Sequence, residues 1–328
     1  MSTGVWIGLD IGGSKVQGVV MDSPGHVLGQ VRLGSTNGAD GIAATAALAL
    51  ARLRALPAVA GRPLRAVGAG VPGVVDATAG HVSHAVNLGL GASGLALRDA
   101  LEAEAGCPVV VENDVNAAAL GAWHVRQPAT SDLAYLSIGT GLAAGVVLGG
   151  RLLRGARGAA GEIGHVPLDP AGPPCACGQR GCLEVLASGA AISRRWQAPD
   201  GVNPARALFD AADLGDPAAI AVRDEVARHL ASAVRLLVLT LDVEVVVLGG
   251  GVAELGSRLR RAVAAALERE QVGSPFLRAL ELSSRVVLVT GSRPIGALGA
   301  ALAGQQAAPA AGARPRGADG ANGIAAGA

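Results

Sequence analysis

The chain has 328 residues, 50% of them hydrophobic but only 2% aromatic, and its formal net charge is +1. That is enough apolar material for more than one compact unit, with a core built from Ala, Val, Leu and Ile and close packing between small residues. The near-zero charge offers no global field to nucleic acid or an anionic membrane, and apolar runs such as 243–248 are strand-sized rather than membrane-spanning.

Short β-rich runs open the chain at 5–11, 15–21 and 26–33. Gly12-Gly13 and Asp22-Ser23-Pro24-Gly25 separate them, and both are turn chemistry, so the start is expected to be antiparallel. Residues 42–56 predict a helix, 64–71 a strand, 95–105 a helix, 109–112 a buried strand and 115–126 a helix. The pattern restarts after Thr130, with strands at 133–138 and 142–148 around Gly139-Thr140-Gly141. Residues 155–181 are rich in Gly, Pro and Cys and read as irregular. Helices are expected at 185–196, 204–212 and 217–239, a strand at 243–248, a helix at 255–268, a strand at 286–290 and a helix at 295–303. Strands mixed with helices, twice over, predict two α/β lobes, 1–118 and 119–304. Residues 305–328 are almost entirely Ala, Gly and Pro without an apolar face and are expected to be a disordered tail.

Three glycine turns suit a nucleotide. The first strand runs into Asp10-Ile11-Gly12-Gly13-Ser14-Lys15 and a second strand follows. This is neither a Walker A loop nor a Rossmann fingerprint, since those need other spacings and a following helix. The small residues let backbone N–H groups approach an anion, Ser14 and Lys15 add a hydroxyl and a positive charge, and Asp10 could hold Mg²⁺ through water. An ordinary Gly-Gly hairpin with a flanking acid has the same composition. Gly139-Thr140-Gly141 is a second turn of this kind, and two such turns in two lobes could grip one polyphosphate across a cleft. Gly249-Gly250-Gly251 is the third, with no side chain to keep a base or ribose off the backbone, although a plain strand-to-helix turn reads alike.

The strand at 109–111 delivers Glu112-Asn113-Asp114 to its C-terminal end, where α/β ligand sites form. A carboxylate that accepts a hydroxyl proton is what phosphoryl transfer to an alcohol needs, and Asp114 also suits the N-cap of the next helix. Gly161-Glu162-Ile163-Gly164-His165 allows a turn presenting both polar side chains, and Glu184 follows shortly after Cys182. Carboxylates with an Asn can read the hydroxyls of a sugar.

His165, Cys175, Cys177 and Cys182 make a Cys₃His set, a common composition of closed structural zinc sites. They lie in a Gly/Pro-rich stretch with too little apolar content to order itself, so zinc would supply the order; incidental free thiols are the alternative. The second ring nitrogen of His165 would stay free for a ligand hydroxyl. Cys107, before Pro108, reads as a buried small hydrophobe. The opening MSTGVWIGLD has no basic stretch, so no secretory signal is expected and the chain is expected in the cytoplasm.

These motifs together resemble the ROK (repressor, open reading frame, kinase) family. Asp10-Ile11-Gly12-Gly13-Ser14-Lys15 resembles its first phosphate motif, with Ser where Thr is usual, and Glu112-Asn113-Asp114-Val115-Asn116 its catalytic segment. Gly161-Glu162-Ile163-Gly164-His165 and Cys175-Ala176-Cys177-Gly178-Gln179-Arg180-Gly181-Cys182-Leu183-Glu184 are similar to its sugar-and-zinc signatures. Gly70-Val71-Pro72-Gly73 and Leu248-Gly249-Gly250-Gly251 also fit, and the resemblance spans about residues 4–304. It implies a two-lobed, actin/hexokinase-like (ribonuclease H-like) α/β fold with duplicated mixed sheets, whose last helix, 295–304, returns to the N-terminal lobe. It implies ATP-dependent phosphorylation of a hexose at its primary hydroxyl. Glucose is the expected acceptor, and N-acetylglucosamine, N-acetylmannosamine, fructose and allose are the alternatives. Asp114 would be the base. Asn113, Asp114, Glu162, His165 and Glu184 would contact the sugar, with Gly73 and Asn87 as further candidates. Asp10, Gly12, Gly13, Ser14, Lys15, Gly139, Thr140, Gly141, Gly249, Gly250 and Gly251 would serve ATP and its Mg²⁺. Homodimers or homotetramers are usual in such families. Sugar-sensing regulators share these signatures but need a helix-turn-helix ahead of the phosphate motif. Here that motif starts at Asp10, leaving no room for such a domain, so no nucleic-acid partner is expected, and the near-zero charge and strand-sized apolar runs make a membrane partner equally unexpected. Two departures stand out: Leu142-Ala143-Ala144-Gly145 follows the second turn where the family is richer in Gly, and Leu90 stands where an aromatic is frequent.

Overall fold

The structure, a computed structural model, describes residues 4–23, 25–127, 129–289 and 293–307. It opens with an antiparallel meander of β1 (Val5–Ile11), β2 (Lys15–Asp22) and β3 (Val27–Gly34). Helix α1 (Ala39–Arg54), β4 (Leu64–Val71), the short strands β5 (Val74–Asp76), β6 (His81–Ser83) and β7 (Leu95–Ala96), α2 (Leu97–Ala105) and β8 (Val109–Asn113) follow. The first sheet has the order β3-β2-β1-β4-β8, with β1, β4 and β8 parallel. Strands β1 and β4 are buried along almost their whole length, which is why they read as continuous apolar runs.

Helix α3 (Asp114–Arg126) leads to β9 (Leu133–Ile138), β10 (Leu142–Leu148) and β11 (Arg151–Leu152). Next come α4 (Leu183–Ala187), α5 (Gly189–Arg195), α6 (Pro204–Asp213), α7 (Pro217–Leu241), β12 (Val245–Gly249), α8 (Ser257–Gln271), α9 (Pro275–Ala279), β13 (Val286–Leu288) and α10 (Ile295–Ala307). The second sheet, β11-β10-β9-β12-β13, repeats the first in order and sense: two antiparallel pairings, then two parallel ones. The duplicated mixed sheets of an actin/hexokinase-like fold are therefore present, with a glycine hairpin at the same place in each.

Some elements differ from the sequence reading. The flap of β5, β6 and β7 was not anticipated, because strands of two or three residues carry no periodic signal. The single helix expected at 185–196 is two helices. Ser188 is extended between them, and its side chain caps α5 by accepting the Ala191 N–H. Residues 305–307, expected in the tail, continue α10; the rest of the expected tail and Thr290 lie outside the described residues.

Each lobe has its own apolar core, and a third cluster joins them through α3 and α10. The small residues make that joint. A Cβ on Gly8 of β1 would lie 1.9 Å from the Ala297 carbonyl oxygen, and one on Gly68 of β4 would lie 1.7 Å from that of Ala300. Between the helices, a Cβ on Gly299 would lie 1.7 Å from the Ala117 oxygen. Helix α10 thus sits backbone to backbone on the first sheet and on α3. Among the described residues no helix is long and apolar enough to cross a membrane.

Candidate active site

A cleft of about 720 Å³ opens between the lobes, where β8, the β9–β10 turn and the segment before α4 converge. Asn113, at the end of β8, is the N-cap of α3: its Oδ1 accepts the N–H groups of Val115 at 2.9 Å and Asn116 at 3.3 Å. The capping role open to Asp114 in the sequence therefore belongs to its neighbour, and Asp114 lies in the first turn of α3, facing the cleft. Burial raises its pKa above the usual carboxylate range; the Val115 N–H, 3.0 Å from Oδ1, opposes this and the Glu162 charge adds to it.

Asp10, near the end of β1, is half-buried close by. Its pKa is pushed up to about 6 by burial and by the Asp114 charge, against the pull of Lys15. Neighbouring carboxylates held above their ordinary range by burial and by nearby negative charge are a frequent mark of proton-transfer sites. Tyr135, in β9 beneath them, accepts the Gly250 N–H at 3.2 Å. Burial pushes its phenol up to about 12, the Gly250 N–H partly offsets this, and Asp10 and Asp114 add to it.

The expected sugar-reading residues Gly73, Asn87, Asn113, Asp114, Glu162, His165 and Glu184 all line the cleft. Asn113 Nδ2 lies 3.5 Å from the Gly73 carbonyl. The loop carrying Glu162 and His165 is docked on β10 by the Ala144 N–H, which donates to Gly161 O at 2.8 Å. Gly161 has φ +92°, and a Cβ there would strike the Ala144 oxygen. Glu184 Oε2 accepts the Leu142 N–H at 3.0 Å, behind the turn Gly139-Thr140-Gly141, which also lines the cleft.

The other glycine turns sit differently. Gly12, Gly13, Ser14 and Lys15 do not line this cleft, but a Cβ on Gly13 would be 2.5 Å from the carbonyl oxygen of Asn87, which does. The Cβ space at Gly249 is filled by Tyr135 and that at Gly250 by the Ile138 backbone, leaving open space only at Gly251. Glycine is required at the first two positions by internal packing. Two neighbours of the site were missed in the sequence, Tyr135 and Arg154, and Glu112, noted as part of the segment, was given no role of its own. Tyr135 is the chain's single tyrosine, just ahead of the second glycine turn, and that placement is a usable signal. The pairing of Glu112 with Arg154 has no local signal.

The nitrogen and sulfur atoms offered by His165, Cys175, Cys177 and Cys182 all lie within 4.8 Å of one another. Backbone and side-chain N–H groups of Gln179 pull the exposed Cys177 thiol down to about 6, while burial and the neighbouring thiols push Cys182 up to about 12. Donor chemistry and spacing fit a closed zinc site with no open position. Cys107 lies outside this group and is half-buried rather than buried as expected.

A family model described as "ROK family" matches residues 6–306. A glucokinase of Halalkalibacterium halodurans is 34% identical over 301 residues, covering 84% of this chain and 90% of that protein. An N-acetylmannosamine kinase of Yersinia pseudotuberculosis is 32% identical over 265 residues, covering 80% and 88%. Among solved structures, the ROK hexokinase from Thermus thermophilus superposes with a TM-score of 0.78 at 36% identity, covering 92% of this chain and 98% of that one. A ROK family glucokinase from Streptomyces griseus, in complex with glucose and AMPPNP, superposes with a TM-score of 0.74 at 30% identity, covering 92% and 100%.

Proposed function

The chain belongs to the ROK family and is an ATP-dependent sugar kinase; from that premise we propose that its acceptor is the primary hydroxyl of glucose. The observation that carries the reading is Asp114, half-buried at the cleft beside Asn113, Glu162, His165 and Glu184 and facing a glycine hairpin.

In this mechanism Asp114 accepts the proton of the sugar's primary hydroxyl as that oxygen attacks the γ-phosphorus of MgATP. The bond from the γ-phosphorus to the β–γ bridging oxygen breaks, and ADP leaves with that electron pair. A pKa raised above the ordinary carboxylate range makes Asp114 a stronger proton acceptor. Gly139, Thr140 and Gly141 hold phosphate oxygens from one lobe. Gly12, Gly13, Ser14 and Lys15 hold them from the other, with Asp10 toward the nucleotide's Mg²⁺ and the backbone at Gly249, Gly250 and Gly251 toward the nucleoside. Asn113, Glu162, His165 and Glu184 read the sugar hydroxyls, with Gly73 and Asn87 at the rim. Closure of lobes 1–118 and 119–304 about the α3–α10 joint would exclude water, the competing acceptor.

His165, Cys175, Cys177 and Cys182 would hold a structural zinc, which orders this segment and does no chemistry. MgATP as donor places the reaction in the cytoplasm.

Glucose is favoured by the names of the two glucokinases above. An N-acetylated hexosamine is the second reading, favoured by the N-acetylmannosamine kinase relative. A coupled ADP-release assay over glucose, N-acetylglucosamine, N-acetylmannosamine, fructose and allose decides. The highest kcat/KM is expected on glucose, and dominant activity on an N-acetyl sugar would transfer the assignment.

A further inference from the structure

We propose that Arg154 is a positioning residue for phosphoryl transfer, fastening the strand end that carries Asn113 and Asp114 to the loop that carries Glu162 and His165. The proposal rests on the reading of Asp114 as the base.

Glu112 stands at the end of β8, directly before Asn113 and Asp114, and is only 3% exposed. Both its carboxylate oxygens are engaged. Oε1 accepts the Asn113 N–H at 3.1 Å and the Asn116 side-chain amide at 3.0 Å, and Oε2 accepts Arg154 Nε at 2.7 Å. Glu112 therefore braces both flanks of Asp114, and Arg154 braces Glu112.

Arg154 comes from the other sheet, shortly after β11. Its own carbonyl accepts the Ala160 N–H at 3.2 Å, and that turn runs directly into Gly161, Glu162 and His165. The side chain is thus anchored on the first sheet while the backbone anchors the sugar-reading loop on the second. The Arg154 side chain is 43% exposed, so solvent weakens the direct attraction. Glu112 has no such outlet: removing the guanidinium leaves a buried carboxylate without its cation, and the segment around Asp114 must rearrange to hydrate it. The loss therefore falls on the geometry between base and acceptor.

The test uses the purified full chain, with kcat and KM for glucose and for ATP measured in R154A, E112Q, the double variant and D114N. R154A is expected to lose about tenfold or more in kcat/KM for glucose, with the KM for ATP unchanged. The double variant is expected to be no worse than the poorer single, because both act through one contact. Guanidinium chloride at low, non-denaturing concentration should restore part of the R154A rate, since that site is open to solvent. Unchanged kinetics in R154A, additive losses, or failure of rescue would each overturn the proposal. If R154A does not fold, R154K, which offers a point charge in place of the planar fork, is expected to show the same sugar-side loss in smaller measure, and unchanged kinetics there count equally against it. If D114N keeps its turnover, the base role falls and this proposal with it; if D114N is inactive and the Arg154 variants behave as wild type, only this proposal falls.

Discussion

Replacing Asp114 with asparagine separates what the carboxylate does for catalysis from what it costs the fold. Asparagine keeps the shape and an oxygen for the Val115 N–H that Asp114 Oδ1 now accepts at 3.0 Å, but it cannot take up a proton. Loss of a general base removes about 10²–10⁴ in rate, or ~3–5 kcal/mol of transition-state stabilisation. The KM for glucose should change little, since Asn113, Glu162, His165 and Glu184 are untouched. Stability should move the opposite way. Asp10 is held at about 6 against an ordinary 3.8, by burial first and the Asp114 charge second; that difference corresponds to ~3 kcal/mol of disfavoured ionisation at neutral pH. Asp114 is itself raised, chiefly by burial. Folded-state values above the unfolded ones mean that the protonated carboxyls favour the fold. That contribution is complete below 3.8 and is lost as pH rises through about 6 for Asp10. At neutral pH Asp10 is ionised at a cost, and D114N removes the neighbouring carboxylate that adds to that cost. The nucleotide-free variant should melt above wild type at neutral pH, with the gap closing as pH falls toward the ordinary carboxylate value. Wild-type kcat should fall on acidification as the base is protonated. Coupled ADP release and thermal melts across pH measure both effects. Near-normal turnover in D114N would remove Asp114 from the base role, and a lower Tm at neutral pH would refute the buried-charge argument.

Two further outcomes are expected. Elemental analysis should find about one zinc per chain; C177S should lower zinc content and Tm and raise the glucose KM through His165, whereas a fully active metal-free enzyme would contradict the assignment. G68A would place a Cβ 1.7 Å from the Ala300 carbonyl oxygen. Because backbone rather than a side chain stands in the way, the cost should lie at the upper end of the roughly 1–3 kcal/mol of overpacking, read as a lower denaturant midpoint; an unchanged midpoint would mean that α10 does not seat on β4 as described.

Much of the fold is legible locally. Strands β1, β4, β9 and β10 occur at the bounds expected, because each is an apolar run closed by charge or by Gly and Pro. The Cys₃His spacing, the two hairpin turns and the acidic end of β8 are equally local, and each names its own chemistry. The start of α3 shows where local signals divide: Asn113 and Asp114 both suit a cap, and only the folded chain gives that role to Asn113 and leaves Asp114 to the cleft.

The remainder concerns partners far apart in the chain. Arg154 and Glu112 are 42 residues apart, and no periodicity links them. Gly249 and Gly250 read as a surface for a nucleoside, yet their missing side chains make room for Tyr135 and Ile138. Composition alone called for close packing of small residues, but not for Gly8 and Gly68 as the seat of α10. Turns, strands and metal spacing are decided by backbone chemistry within a few residues, so the amino-acid order determined them. Which buried faces meet is decided by the packing of whole sheets and helices, so only the tertiary structure could set Arg154 against Glu112 and two carboxylates side by side.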